Sequence, residues 1–242
     1  EFRRLLGVEL NRELLESVDT SADAQVLFSI LEHVEEILIN SQISNHKELL
    51  TLISEFSLED VLADERLING VNAESLLAIL EDVLSLSLLP AILEPAYNAF
   101  VPEMIAEMPE DLQALLSLDD YSAELFLEDA KALVYILRQA VDFGAIGIYR
   151  GADINWSYSE PIENIFKTIF ALNFLNVKLD EIVTYVTNHI FDLSELDVEA
   201  LRGKLANDGV ILADVYRILA TEILALDIFP IKSINDLSEF TI

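Results

Sequence analysis

The sequence predicts an all-α protein: an elongated array of degenerate helical repeats, arranged as antiparallel helix pairs, with about ten helices and no sheet. Three observations predict it. Apolar residues recur at i, i+3, i+4 and i+7 along most of the chain, the spacing of a helix that buries one face. No segment alternates apolar and polar residues as a half-buried strand would. Hydrophobic residues make up 52% of the chain, above the roughly 45–50% of an ordinary soluble domain. Stacked helical units explain that excess, because each buries its apolar face against a neighbour.

The expected helices span about 9–18, 22–40, 45–55, 57–64, 72–88, 91–106, 110–143 with a break near 118–121, 159–175, 178–190, and 195–226 with a break near 203–208. Ser21 and Asn72 stand where N-caps are expected, since a short polar side chain there satisfies an orphan backbone N–H. Pro161 falls early in its helix, where a missing N–H does little harm. Asn207-Asp208-Gly209 reads as a turn or cap before the last long helix.

Five segments carry an apolar pair at a helix centre: Ile30-Leu31, Ile79-Leu80, Ile136-Leu137, Ile169-Phe170 and Ile218-Leu219. Phe56 to Pro90 and Phe191 to Pro230 also match as a short acidic helix, a turn, a long amphipathic helix and a proline stop. Both patterns predict repeats, with the paired residues, Leu80 and Leu219 among them, in the core. The whole chain, 1–242, is expected to be one helical-repeat fragment. Four of its six prolines, at 90, 95, 102 and 109, place the expected sub-boundary in the stretch 90–109, between an N-terminal half (1–89) and a C-terminal half (110–242).

Charge and composition exclude several functions. The 44 acidic and 14 basic residues leave a net charge of −30, which argues against nucleic-acid binding, because phosphate contacts need clustered Lys and Arg. With no cysteine there is no disulfide, thiolate metal site or cysteine nucleophile. The longest run without a charge, Val83 to Leu93, has 11 residues, whereas a transmembrane helix needs about 20 apolar ones. The three histidines lie in no H-x-x-x-H or E-x-x-H pattern. No nucleophile elbow, P-loop or dinucleotide fingerprint occurs, so the reading is not an enzyme, and no cofactor is expected.

Two segments stand out. Between Arg66 and Lys131 there is no base and there are 13 acids. Within it, Asp119, Asp120 and Glu124 are a candidate hard-cation site, for weak calcium binding. Such acidic text resembles the aspartate-rich helices of isoprenoid enzymes, but no second motif and no basic cluster for a diphosphate accompany it. The structural reading is that these Asp residues cap a helix. Phe143 to Glu160 is the longest stretch that does not read as helix. It holds three of the seven glycines and the only tryptophan. Its Tyr149, Arg150, Trp156 and Tyr158 are the partner-binding candidates, being residue types that anchor interfaces. The structural reading is that Trp156 plugs a gap between helices.

Together these features predict a non-enzymatic structural or protein-interaction module, a helical-repeat segment of a larger protein that self-assembles or binds a protein partner. Because the chain starts without methionine, it reads as a mature or excised piece, and its lack of cysteine favours an extracellular or cell-surface setting. The alternative is a helical bundle holding a lipid or other apolar small molecule, since such pockets are mostly apolar. A metal-dependent enzyme using Asp119, Asp120 and Glu124 ranks last.

Overall fold

The computed structural model describes residues 16, 18–41, 70–109, 112, 113, 115, 120–149, 151–155, 157–190, 193, 195–201 and 204–222. Helices make up 81% of these residues, and no strand occurs among them. The described helices are α1 (Thr20–Asn40), α2 (Gly70–Ser85), α3 (Leu89–Ala106), α4 (Ala123–Asp142), α5 (Ala145–Tyr149), α6 (Glu160–Ala171), α7 (Asn173–Val177), α8 (Leu179–His189), α9 (Val198–Leu201) and α10 (Leu205–Glu222). The all-α class and most expected boundaries agree with this order. The helices expected at 9–18, 45–55 and 57–64 lie almost wholly outside the described residues.

Two compact units are interleaved along the chain. One is built from 1–24, 84–133 and 166–212. Its core is Tyr97, Tyr121 and Ala123, with Val101, Leu125, Phe174 and Val177 packed against them. The Tyr97 hydroxyl donates to the Tyr121 carbonyl at 2.9 Å, and the Tyr121 ring meets Phe174 edge-on at 5.5 Å. Helix α3 runs through Pro95 and Pro102, each of which removes a backbone donor from the helix. Ala91 and Tyr97 of α3 are nonetheless buried, and tertiary packing of this kind supplies most of a helix's stability.

Two aspartates brace this unit. Asp23 accepts from the backbone N–H of Ser87 (2.7 Å) and Leu88 (3.0 Å), just before α3. Asp129 accepts from the N–H of Asn173 (2.8 Å) and Phe174 (2.7 Å) at the start of α7, and from the Tyr121 hydroxyl (2.8 Å). Each puts a carboxylate on the orphan donors and positive dipole end of a helix remote in sequence. Burial alone would raise the Asp23 pKa. The Ser87 N–H and hydroxyl and the Leu88 N–H outweigh it and hold the carboxyl below its ordinary value.

The other unit comprises 25–83, 134–165 and 213–242. Side-chain bonds link its helices in a series. Ser75 of α2 donates to Glu36 of α1 at 3.0 Å, and Asn72 of α2 donates to Ser41, just past α1, at 2.8 Å. Arg138 of α4 forks onto Glu81 of α2 through two 2.7 Å bonds and reaches Glu74 at 2.9 Å. Asn164 of α6 donates to Gln139 of α4 at 2.9 Å. The Tyr216 hydroxyl of α10 accepts from the Ser159 N–H at 3.1 Å, at the entrance to α6.

The buried polar residues expose a sequence likeness. Asp23, Asn72 and Asp129 each open a nine-residue segment, DAQVLFSIL (23–31), NAESLLAIL (72–80) and DAKALVYIL (129–137). The first position is buried in all three. The ninth, Leu31, Leu80 or Leu137, is exposed in all three, whereas the isoleucine before it is half-buried. This corrects the expectation that both members of each apolar pair are core residues: neighbours on a helix point about 100° apart, so one face cannot bury both. Ile218 and Leu219 are both exposed.

The caps also differ from expectation. Asp19, not Ser21, caps α1, accepting from the Ser21 and Ala22 N–H groups at 3.1 and 3.0 Å. Asn72 lies inside α2 as a buried link, and Asn207-Asp208-Gly209 lies inside α10. On this packing, Leu77→Ala is expected to lower stability by about 2–5 kcal/mol. Leu80→Ala should cost about 1 kcal/mol or less, because part of that side chain stays in water. Urea unfolding of the two variants measures the contrast.

Candidate functional site

Among the partner-binding candidates, Arg150 and Trp156 lie outside the described residues. Tyr149 and Tyr158 are described. Part of the Phe143 to Glu160 stretch is helical: α5 occupies Ala145–Tyr149. Gly144 (φ +94°) precedes α5 and Gly151 (φ +90°) follows it, both in the backbone region that favours glycine. Gly151 donates to the Ile148 carbonyl and Ala152 to the Gly147 carbonyl, the bond pair of a Schellman stop. A single short helix between two such glycines escapes a reading based on periodicity.

Tyr149 is exposed on this helix. Tyr158 has a structural task. Its hydroxyl donates to Glu163 at 2.9 Å, and its ring lies 6.3 Å from that of Tyr216. The Glu163 carboxylate raises the Tyr158 pKa, so the phenol stays protonated and donating.

Of the cation candidates, Asp119 lies outside the described residues. Asp120 has φ +66°, a left-handed conformation that Asp tolerates, at the turn before α4. The cap on α4 is Ser122, whose Oγ accepts from Leu125 N–H at 3.3 Å. Glu124 is exposed in the first turn of α4. No group of three His, Asp or Glu side chains able to hold a metal occurs among the described residues. Cations are expected to act by screening the −30 net charge. Calcium should raise the melting temperature no more than sodium chloride at matched ionic strength. A calcium increment that Asp120→Asn abolishes would instead assign a specific site.

Glu124 also borders a cleft of about 610 Å³ in the first unit, between α3 and the start of α4. Leu93, Tyr97, Tyr121 and Leu127 line it together with Glu94, Glu128 and Lys131. Its size is within the range for a small molecule, but its rim is charged. Burial, followed by the Asp129 bond and charge, raises the Tyr121 pKa, and the hydroxyl is already committed to Asp129. The Tyr97 hydroxyl is likewise committed.

Sequence reasoning missed the apolar surface of α1. Leu27, Phe28, Leu31 and Ile39 are all exposed there. The sixth position of the nine-residue segments is decisive. Leu77 is 5% exposed and Val134 7%, yet Phe28, their counterpart, is 68% exposed. Aligning the three segments on their first polar residue would have found the position, although not its exposure. No single helix among the described residues is long and apolar enough to cross a membrane; α2 and α3 reach that length and hydropathy only together, across the break between them. No protein-family model matches the chain, and comparison with curated proteins and with solved structures gives no significant match.

Proposed function

We propose that this chain is a non-enzymatic structural and interaction module, a run of degenerate helical repeats from a larger protein, that packs apolar helix faces against a protein partner or another copy of itself. The three segments at 23–31, 72–80 and 129–137 support the repeat reading, because each begins with a buried polar residue in a helix. The observation that carries the interaction reading is the 68% exposure of Phe28, at a position that is buried in the other two segments. Large apolar patches left in water mark interaction surfaces. A lipid carrier has less support, because the cleft beside Tyr97 has a charged rim.

A photo-crosslinking amino acid at position 28, in cells that make the protein, tests the proposal. A discrete adduct is expected, lost when Leu31→Glu is added. No adduct, or adducts unchanged by Leu31→Glu, would mean that α1 is not a binding face.

A further inference from the structure

We propose that Asn155 is an acceptor for N-linked glycosylation, with a lipid-linked oligosaccharide diphosphate as the glycosyl donor. Asn155-Trp156-Ser157 is the sequence that such transfer requires, Asn-X-Ser with X other than proline. None of the chain's other asparagines has Ser or Thr two positions on. The motif is short, so its placement carries the argument. It lies between α5, which ends at Tyr149, and α6, which begins at Glu160. A helix could not present it, because residues two apart on a helix do not face each other. Here they do. The Asn155 Oδ1 accepts from the Ser157 N–H at 3.0 Å and from the Ser157 hydroxyl at 2.6 Å, the bonds of an Asx turn.

The turn decides which end of the carboxamide is available. Only an oxygen can accept from a backbone N–H, so Oδ1 is the atom that faces Ser157. Asn155 is exposed, and its Nδ2 makes no hydrogen bond to any described residue. Both flanks are tied down. Upstream, the Ala152 N–H donates to the Gly147 carbonyl at 2.8 Å. Downstream, the Tyr216 hydroxyl of α10 donates to the Ser157 carbonyl at 3.4 Å and accepts from the Ser159 N–H at 3.1 Å. All of these residues belong to one compact unit. The asparagine therefore stands on a short exposed link held at both ends, where a bulky hydrophilic chain extends into water without displacing a helix.

A carboxamide nitrogen is a weak nucleophile, because its lone pair is shared with the carbonyl. Two donors on Oδ1 draw charge toward the oxygen and make an Nδ2 proton easier to lose. In the transfer, Nδ2 attacks the anomeric carbon of the donor. The new N–C bond replaces the bond from that carbon to the diphosphate oxygen. The lipid diphosphate leaves with the bonding electrons, and one Nδ2 proton passes to solvent. Ser157 is the positioning residue for this step.

Peptide mapping by mass spectrometry, on the full chain purified from cells that make it, tests the proposal. The peptide that carries Asn155 is expected to bear an oligosaccharide. Asn155→Asp is the sharpest variant, because a carboxylate keeps the acceptor for Ser157 and removes only the nucleophilic nitrogen; the added mass should disappear. Ser157→Ala should abolish it as well, whereas Ser157→Thr should retain it. Circular dichroism matching the wild type shows that the variants are folded, and Asn155→Gln replaces Asn155→Asp if that variant is not. A bare Asn155 in the wild type would overturn the proposal. Added mass that survives Asn155→Asp or Ser157→Ala would overturn it too.

Discussion

Replacing Asp129 with Ala is expected to lower stability by about 3–5 kcal/mol, the sum of leaving several buried donors without an acceptor. One oxygen of this buried carboxylate accepts from the Asn173 N–H; the other accepts from the Phe174 N–H and the Tyr121 hydroxyl. The backbone donors belong to the first turn of α7, which has no side-chain cap at Leu172. The phenol sits in the core beside Tyr97. Asp129→Asn is the sharper test. It keeps the shape but turns one acceptor into a donor facing donors, so most of the loss should persist. A surface control, Asp214→Asn, should change stability by about half a kcal/mol or less. Urea unfolding followed by far-ultraviolet circular dichroism measures all three. A loss below about 1 kcal/mol for Asp129→Ala would mean that the α7 start and Tyr121 find other acceptors, and that the aspartate brace is not what joins α4 to α7.

The same chemistry sets an acid limit. The Ser87 and Leu88 contacts hold the Asp23 pKa below its unfolded value, against the opposing effect of burial. The Arg138 fork lowers the Glu81 pKa, and bonds from His33 and Ser75 lower that of Glu36. For groups with depressed folded pKa values, the stabilisation is fully present above the unfolded pKa and is lost as pH falls through the folded one. The loss therefore belongs to strongly acid conditions, below the ordinary carboxylate range.

How much of this was legible depends on whether the cause is local or tertiary. The helices were legible because burying one face imposes a period on the text, as at Val26, Ile30 and Val34. The roles of Asp23, Asn72 and Asp129 were not. Asn72 reads as a cap, the commonest local solution, and nothing local marks Asp23 or Asp129, whereas here each bonds to a segment 31 to 65 positions away. The Ile-Leu pairs were visible, but periodicity alone could not say that the second residue faces water. The candidate site was least legible. Phe28 stands in an unremarkable apolar stripe and becomes informative only beside the burial of Leu77 and Val134. Of the four anchors proposed in Phe143 to Glu160, Tyr158 donates to Glu163, five residues on, a pairing that composition does not encode.

Gly209 carries the last large expectation. In the sequence it completes Asn-Asp-Gly, a turn signal, yet it lies within α10. A helix interior ordinarily disfavours glycine by about 0.8–1.0 kcal/mol relative to alanine. By propensity alone, Gly209→Ala should therefore stabilise the protein. The structure predicts the opposite sign. A Cβ at 209 would stand 2.6 Å from Phe170 Cβ, 3.2 Å from the Phe166 carbonyl oxygen and 3.3 Å from Phe170 Cγ. The first two atoms belong to α6 itself or are fixed directly to its backbone, so no side-chain rotation relieves the clash. Helices α6 and α10 would have to move apart. Overpacking of this kind costs about 1–3 kcal/mol, and we expect a net loss within that range for Gly209→Ala and a larger one for Gly209→Val. Phe170→Ala should not rescue Gly209→Ala, because alanine keeps the offending Cβ. Thermal and urea unfolding of the single and double variants decide the matter. A Gly209→Ala protein more stable than the wild type by the propensity difference would show that α6 and α10 do not approach at this point.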